Sequence, residues 1–352
     1  MPVARIGDPW YRASMASPRT ASAARPEDSL ERSSRIIRRV LLVDAAYLVV
    51  TLMPMLRWSI TQHRYEALIA HVLATLAALV FAIGDFSHRA RPFRDWLPIV
   101  FIPLLYTEVR WVIAGIGIGH HDQRVQWWDA ALFPSNPSKS LAVHYHAVAI
   151  SEILHLAYLA YYFIIFVPPA ILWFRGRRRE FAATVAGLSV VYVLCFLTFM
   201  IFPVDGPRFL NGPSDAPPGI VRGIAVSLLQ AASSRGTAFP SSHAAAAVIA
   251  SLYALWYQRK TGLVVAVTTL LLCVGAVYGG FHYAVDIVAG VAYAALALPV
   301  AWLLQRTDSA PPPRARTPDL VKVQVMQARM ARGARSSRTS AERPAEDERP
   351  GS

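Results

Sequence analysis

The sequence predicts an all-α fold, a polytopic membrane helix bundle of about eight spans, and three observations carry that prediction. Of 352 residues, 55% are hydrophobic and 16% charged, with a mean hydropathy of +0.36, outside the range of ordinary soluble domains. Apolar windows near the ~20 residues that a bilayer core demands recur eight times. Basic residues gather on alternate connections between those windows, the pattern that orients membrane helices.

The windows lie near 36–57, 67–85, 95–117, 148–174, 181–203, 243–258, 262–280 and 283–305. Arg5, Arg12, Arg19, Arg25 and Arg32 precede the first window with no apolar run before residue 36, so the first span, not a cleaved leader, is expected to direct insertion. The window at 243–258 is short and alanine-rich, which suits a helix extended by the polar segment before it or lying partly within the protein. Further positive residues stand at Arg89, Arg91 and Arg94, in "RGRRRE" at 175–180, in "QRK" at 258–260 and in the C-terminal tail. Both termini are therefore expected on the cytoplasmic side, and the connections 58–66, 118–147, 204–242 and 281–282 on the exterior side, periplasmic, extracellular or lumenal. The formal charge of +13 follows the membrane and predicts no nucleic-acid partner.

Four segments are expected. Residues 1–35 form a disordered basic N-terminal tail, 36–94 two additional N-terminal transmembrane helices, 95–305 a six-helix catalytic core, and 306–352 a disordered basic C-terminal tail. Both tails are rich in Arg, Ser, Pro, Ala and Glu and lack the apolar surface that offsets chain ordering. Within the second, "LVKVQVMQARMARGAR" can form a basic helix on an anionic leaflet, although a solvated tail is the expectation. Cys195 and Cys273 fall inside apolar windows and read as packing residues without a disulfide. The exterior segment 119–138, "GHHDQRVQWWDAALFPSNPS", mixes charge with paired tryptophans, as suits an interfacial segment that caps a site or shapes substrate entry. His120 and His121 have no third ligand at metal spacing; they read as solvated, and no metal is expected.

Three polar insertions interrupt this apolar chain. In "GGFHYAVDIVAG", 279–290, His282 and Asp286 stand four apart, so at the start of a helix they share a face with Cβ atoms ~5–6 Å apart. The carboxylate can then hold one ring nitrogen and leave the other free as base or nucleophile. "FPSSH", 239–243, puts His243 at the exterior end of the sixth window, 39 positions before His282. "FPVDGPRF", 202–209, puts Asp205 and Arg208 at the exterior end of the fifth. Each has a plain structural reading: a snorkelling or capping histidine, Ser241 and Ser242 as helix N-caps, Arg208 as a headgroup anchor. Ionisable groups at membrane depth cost ~2.5–3.5 kcal/mol each on insertion scales, and three sets gathered at one depth point to a site. The chemistry such a set can perform is phosphoryl transfer. His282 attacks phosphorus, His243 as imidazolium protonates the leaving oxygen, and Arg208, the Ser241 and Ser242 hydroxyls and backbone N–H groups hold the phosphate oxygens. No cofactor or divalent ion is then required.

At these residues the chain resembles the type 2 phosphatidic acid phosphatase superfamily, membrane enzymes with a six-helix core and an exterior-facing His/His/Asp site. The resemblance rests on "FPSSH" followed by "HYAVD" and covers roughly residues 95–305. It implies His282 as nucleophile, Asp286 as its orienting partner and His243 as general acid. Two departures stand out. The family's third motif carries Ser-Arg ahead of the histidine, where this chain has Gly275 and Ala276, and its first motif, a lysine and an Arg-Pro pair, is replaced by "GPRF". The Arg-Pro of "SHRARPF", 87–93, falls on the cytoplasmic side. In these respects the sequence is similar to the branch of inositol phosphorylceramide synthases, whose loop "WWDAALFPSNPS" resembles, and "HYAVDIVAGVAY" is similar to sphingomyelin synthases.

The expected partners are the membrane, a lipid phosphate or phospholipid as substrate and, if the reaction is transfer, a lipid alcohol as acceptor. Hydrolysis and headgroup transfer both remain open. The alternative is a noncatalytic lipid-binding protein or transporter with the same fold, favoured by Ala276. Against it stand the intact His243, His282 and Asp286 and the lack of broken-helix repeats. Glu108, Arg110 and Glu152, ionisable groups inside windows, fit a mutual structural pair or an interfacial position as well as a transport path.

Overall fold

The computed structural model describes residues 26–306, apart from His88, Pro134 and Pro213. Thirteen helices are found there: α1 (Pro26–Gln62), α2 (Tyr65–Ile83), α3 (Arg91–Ile116), α4 (Asp122–Leu132), α5 (Pro137–His144), α6 (Val148–Leu159), α7 (Tyr161–Phe174), α8 (Arg178–Ile201), α9 (Pro207–Asn211), α10 (Ile220–Ala232), α11 (Ser242–Tyr257), α12 (Arg259–Tyr278) and α13 (Ala284–Arg306). The fold is an all-α polytopic bundle, and the only extended pairing among the described residues is one bridge between Val204 and Thr237.

Five helices, α2, α3, α8, α12 and α13, are long and apolar enough to cross a bilayer, and the α6–α7 pair makes a sixth if it counts as one span. This is a multi-pass membrane architecture with fewer clear spans than the eight hydropathy windows suggest. Of the other two windows, one falls on the 37-residue α1, which carries Arg38, Arg39, Asp44 and Arg57 along its length. The other falls on the 16-residue α11, only ~24 Å long at 1.5 Å per residue. Ala244, Ala245, Ala246 and Ala247 of α11 are all fully buried. Small residues let a short helix pack closely inside the bundle instead of facing lipid.

The expected N-terminal tail needs correction at its C-terminal end, because α1 begins at Pro26. Ser33 is buried and donates to the Leu30 carbonyl, and Arg94 of α3 donates to the Ser34 hydroxyl. These contacts and the Ile36 and Ile37 side chains, both buried, hold the segment as helix. Residues 1–25 and 307–352, with most of both expected tails and the basic helix expected at 320–335, lie outside the described residues.

At the centre stands α8, packed against α1, α3, α7, α11 and α13. The fourth window is two helices bent by 44° at Ala160, whereas the sequence suggested one uninterrupted span; it is the one bent pair among the described residues, with no counterpart that would form a repeat. Neither proline nor glycine stands at the break, since Pro168 and Pro169 follow two turns later. Tyr158 and Tyr161, on either side of the break, both reach His243 of α11.

The ionisable groups inside the bundle pair differently from expectation. Glu108 accepts from or donates to His71 Nδ1 at 2.8 Å, both buried, and Arg110 lies over the Trp111 ring at 5.2 Å. Residues two apart on a helix do not face one another, which rules out a Glu108–Arg110 pair. Glu152 of α6 accepts from the backbone N–H groups of Val221 and Arg222 at 2.9 and 3.0 Å, capping α10 from a distance as a carboxylate at a helix N-terminus should. That helix shows Ile220, Ile224 and Leu228 outward, an apolar stripe at helical spacing that the sequence reading assigned to a connection.

Candidate active site

Three chain segments meet at one end of the bundle: residues 202–207 after α8, 233–241 before α11, and 279–283 between α12 and α13. Main-chain hydrogen bonds join them. Val204 N donates to the Gly236 carbonyl at 3.2 Å and Ala238 N to the Val204 carbonyl at 2.8 Å, while Ser241 N donates to the Asp286 carbonyl at 3.0 Å. Asp205 reinforces the first junction, accepting from Gly236 N at 2.9 Å and from Arg235. The last junction depends on Gly290, one turn beyond Asp286, because a Cβ there would lie 2.6 Å from the Ser241 carbonyl. Gly290→Val is expected to push α13 off α11, lowering thermal stability in detergent by about 1–3 kcal/mol and turnover with it; a variant with unchanged melting would show that the contact relaxes freely.

Helix α4 braces this end. Asp122 accepts from Asp205 N and Gly206 N. Asp129 accepts from Val285 N at 2.9 Å, capping α13, and burial raises its carboxyl above the ordinary carboxylate value. The tryptophan-bearing segment is thus a clamp on two motif loops. His120 is not merely solvated: its Nδ1 lies 2.8 Å from Asp205 Oδ1, and His121 stacks on Phe202 at 4.4 Å. Ligand-type atoms of His120, Asp122 and Asp205 come within 4.8 Å of one another, a cluster invisible to local spacing because Asp205 arrives from 83 residues after Asp122. Both carboxylates are already engaged by backbone N–H groups, and Asp205 also by Arg235.

Within this frame the two histidines meet, their ring centroids 6.1 Å apart. His282 Nδ1 lies 3.3 Å from Asp286 Oδ2, and the same oxygen accepts from Tyr283 N at 2.8 Å. His282 is buried, and that burial pushes its imidazole from the ordinary 6.5 down to about 4, with Arg208 adding to the effect and the Ala238 carbonyl opposing it. A ring kept neutral at neutral pH is the form a nucleophile needs. The folded-state value lies below the unfolded one, so between about 6.5 and 4 the unfolded chain holds the proton and the native chain does not. Stability contributed by neutral His282 is therefore present at neutral pH and lost as pH falls through that window. Wild-type melting in detergent should fall more over this range than that of His282→Gln, and parallel profiles would refute the assignment.

Arg208, His243 and His282 line one small cavity with Tyr106, Tyr158 and Thr237. Arg208 donates to the Ser233 hydroxyl, and its Nη1 is buried without a partner. Ser241 and Ser242 are buried and absent from the cavity wall; the Ser241 hydroxyl caps α11, accepting from Ala244 N at 3.3 Å. The structure thus gives the plain capping reading to Ser241, and only the start of α11 faces the site. His243 sits in a tyrosine box, 4.2 Å from the Tyr161 ring, 5.4 Å from Tyr158 and 6.2 Å from Tyr106. From it an apolar cavity of about 120 Å³ runs between α3 and α7 past Ile102, Ile165 and Phe166. The sequence reading missed these tyrosines; the only signal for Tyr158 and Tyr161 was the cluster "YLAYYF" within a window, and Tyr106 had none.

The missing Ser-Arg pair also has a structural reason. A Cβ at Gly275 would lie 2.4 Å from the Leu154 carbonyl, and Ala276 is fully buried, its carbonyl accepting from Phe281 N and His282 N. Close packing of α12 on α6 leaves no room for a side chain at 275, the serine's place, and at 276 the alanine is fully enclosed.

A family model of the PAP2 superfamily matches residues 125–300, and the chain belongs to that superfamily. The matched stretch contains all three motifs and excludes α1 to α3. No curated protein and no solved structure matches the chain. With its apolar helices, the protein is a membrane protein of a phosphatase-type enzyme superfamily.

Proposed function

We propose that the protein hydrolyses or transfers a phosphate-containing group of a membrane lipid through a phosphohistidine on His282. The observation that carries this reading is the 6.1 Å separation of the His243 and His282 rings across a cavity that also holds a buried, unpartnered Arg208 nitrogen. One phosphorus between them can lie within the ~3–3.5 Å approach that reaction requires on either side.

Asp286 holds His282 Nδ1, leaving Nε2 to attack. As the N–P bond forms, the P–O bond to the lipid breaks, and the His243 imidazolium gives its proton to the departing oxygen. Bound phosphate supplies the negative charge that an imidazolium in the tyrosine box needs. Arg208 and the first-turn N–H groups of α11, set by Ser241 and Ser242, stabilise the equatorial oxygens. Neutral His243 then takes a proton from water or a lipid alcohol, whose oxygen displaces His282. Water gives hydrolysis and an alcohol gives transfer. The apolar cavity at His243 suits the lipid leaving group and, in its place, a lipid alcohol acceptor. The basic starts of α8 and α12, at Arg178, Arg179, Arg259 and Lys260, lie at the helix ends opposite the histidines, which supports an exterior-facing site with cytoplasmic termini.

The test uses purified protein in liposomes with phosphatidic acid and with a phosphodiester lipid, each with and without diacylglycerol or ceramide. Free phosphate indicates hydrolysis and a new phosphodiester indicates transfer, each required to vanish in His282→Ala. Neither product from either substrate would leave a noncatalytic lipid-binding protein, the reading that Ala276 favours.

A further inference from the structure

Beside the histidine cavity lies a second, larger one of about 350 Å³, within the size range of small-ligand sites, and its wall includes Arg208, Arg222, Arg235, Ser214, Gln230 and Phe281. Phe209, Ser233, Arg208 and Phe281 line both cavities, so the two share a wall. Among the described lining residues there are three arginines and no carboxylate. Arg235 is bound to Asp205, but Arg222 is only partly satisfied. Its Nη2 donates to the Ser214 carbonyl at 2.9 Å, while its Nε is buried with no partner, as is Arg208 Nη1. A buried guanidinium nitrogen left without an acceptor costs free energy. Glu152, whose carboxylate accepts the α10 backbone N–H groups, makes no hydrogen bond to that nitrogen.

The two cavities flanking the reactive pair differ in chemistry. The tyrosine-lined one touches His243 and is apolar, which fits the group that leaves. The arginine-lined one touches Arg208, which fits the part that stays bonded to phosphorus.

We infer that the arginine-lined cavity binds a second phosphate, carried by the headgroup of a phosphodiester lipid, with Arg222 as its principal contact. This rests on the phosphoryl-transfer reading above and narrows its substrate class to lipids whose headgroup bears an anion beyond the scissile phosphodiester. Arg222 supplies two charge-assisted hydrogen bonds to planar or tetrahedral oxyanions, and the cavity volume leaves room for a polyol between the two phosphates.

The test is binding to the purified full chain, followed by tryptophan fluorescence, with inositol 1-phosphate and inositol 1,4-bisphosphate as probes. The bisphosphate should bind at least about tenfold more tightly, the difference expected from one hydrogen-bonded charge pair. Arg222→Gln should erase the preference while keeping monophosphate binding, and Arg124→Gln, which removes an exposed charge on α4, should keep it. His282→Ala should also keep it, which separates this inference from the catalytic one: lost turnover with an intact preference supports the cavity assignment. Equal affinity for the two probes, a preference that survives Arg222→Gln, or one that Arg124→Gln erases equally would overturn it.

Discussion

His282→Ala is expected to lower lipid-phosphate turnover by at least ~10⁴-fold, because removing a nucleophile that works as a unit with its partners removes the pathway. The ring lies where a carboxylate, a backbone N–H and a cationic side chain converge: Asp286 Oδ2 at 3.3 Å, Tyr283 N donating to that same oxygen, and Arg208 across the cavity. Wild-type protein incubated briefly with phosphorus-labelled substrate and quenched in base should carry an acid-labile label, and the variant none. On the acid side the wild-type rate should decline as His282 takes up a proton around 4, since the imidazolium has no lone pair to offer. A variant that keeps a tenth of the wild-type rate, or an unchanged label, would remove His282 from the reaction.

His243→Ala should cost ~10²–10⁴-fold, the usual worth of a positioned general acid, and the loss should depend on the leaving group. An alkoxide departing from a lipid needs a proton, whereas a nitrophenolate leaves without one. The variant should therefore recover most of the wild-type rate with a nitrophenyl phosphodiester. Equal losses on both substrates would indicate that His243 orders the cavity and does not donate. Its surroundings make either outcome informative, because three tyrosine rings hold the imidazole while none of them makes a hydrogen bond to it among the described contacts.

Much of this was legible in the sequence because it depends on local pattern. Apolar windows report helices wherever the surroundings are lipid or protein, so α2, α3, α8, α12 and α13 could be read directly. The four-residue step from His282 to Asp286 is a property of one helix turn. Hydropathy cannot separate a helix facing lipid from one facing protein, which is why the alanine-rich α11 was counted among the eight windows with a place partly within the protein left open. Long-range pairing was illegible for a different reason. Nothing near Glu108 in the chain announces His71, and nothing near Asp129 announces the start of α13. The same limit hid Arg222. Its distance from every motif made it look like part of a connection, and nothing near it in the chain announces Glu152 or the cavity it lines.

The main-chain seams between the motif loops carry a consequence for how this scaffold can diversify. Carbonyls and amides are common to nearly every residue type, so the chassis that aligns the two imidazoles makes few demands on the side chains lining its neighbouring cavities. Arg222 or Gln230 could be exchanged for residues suited to other cargoes with the reactive pair still in register, and new selectivity could then arise without first dismantling the chemistry.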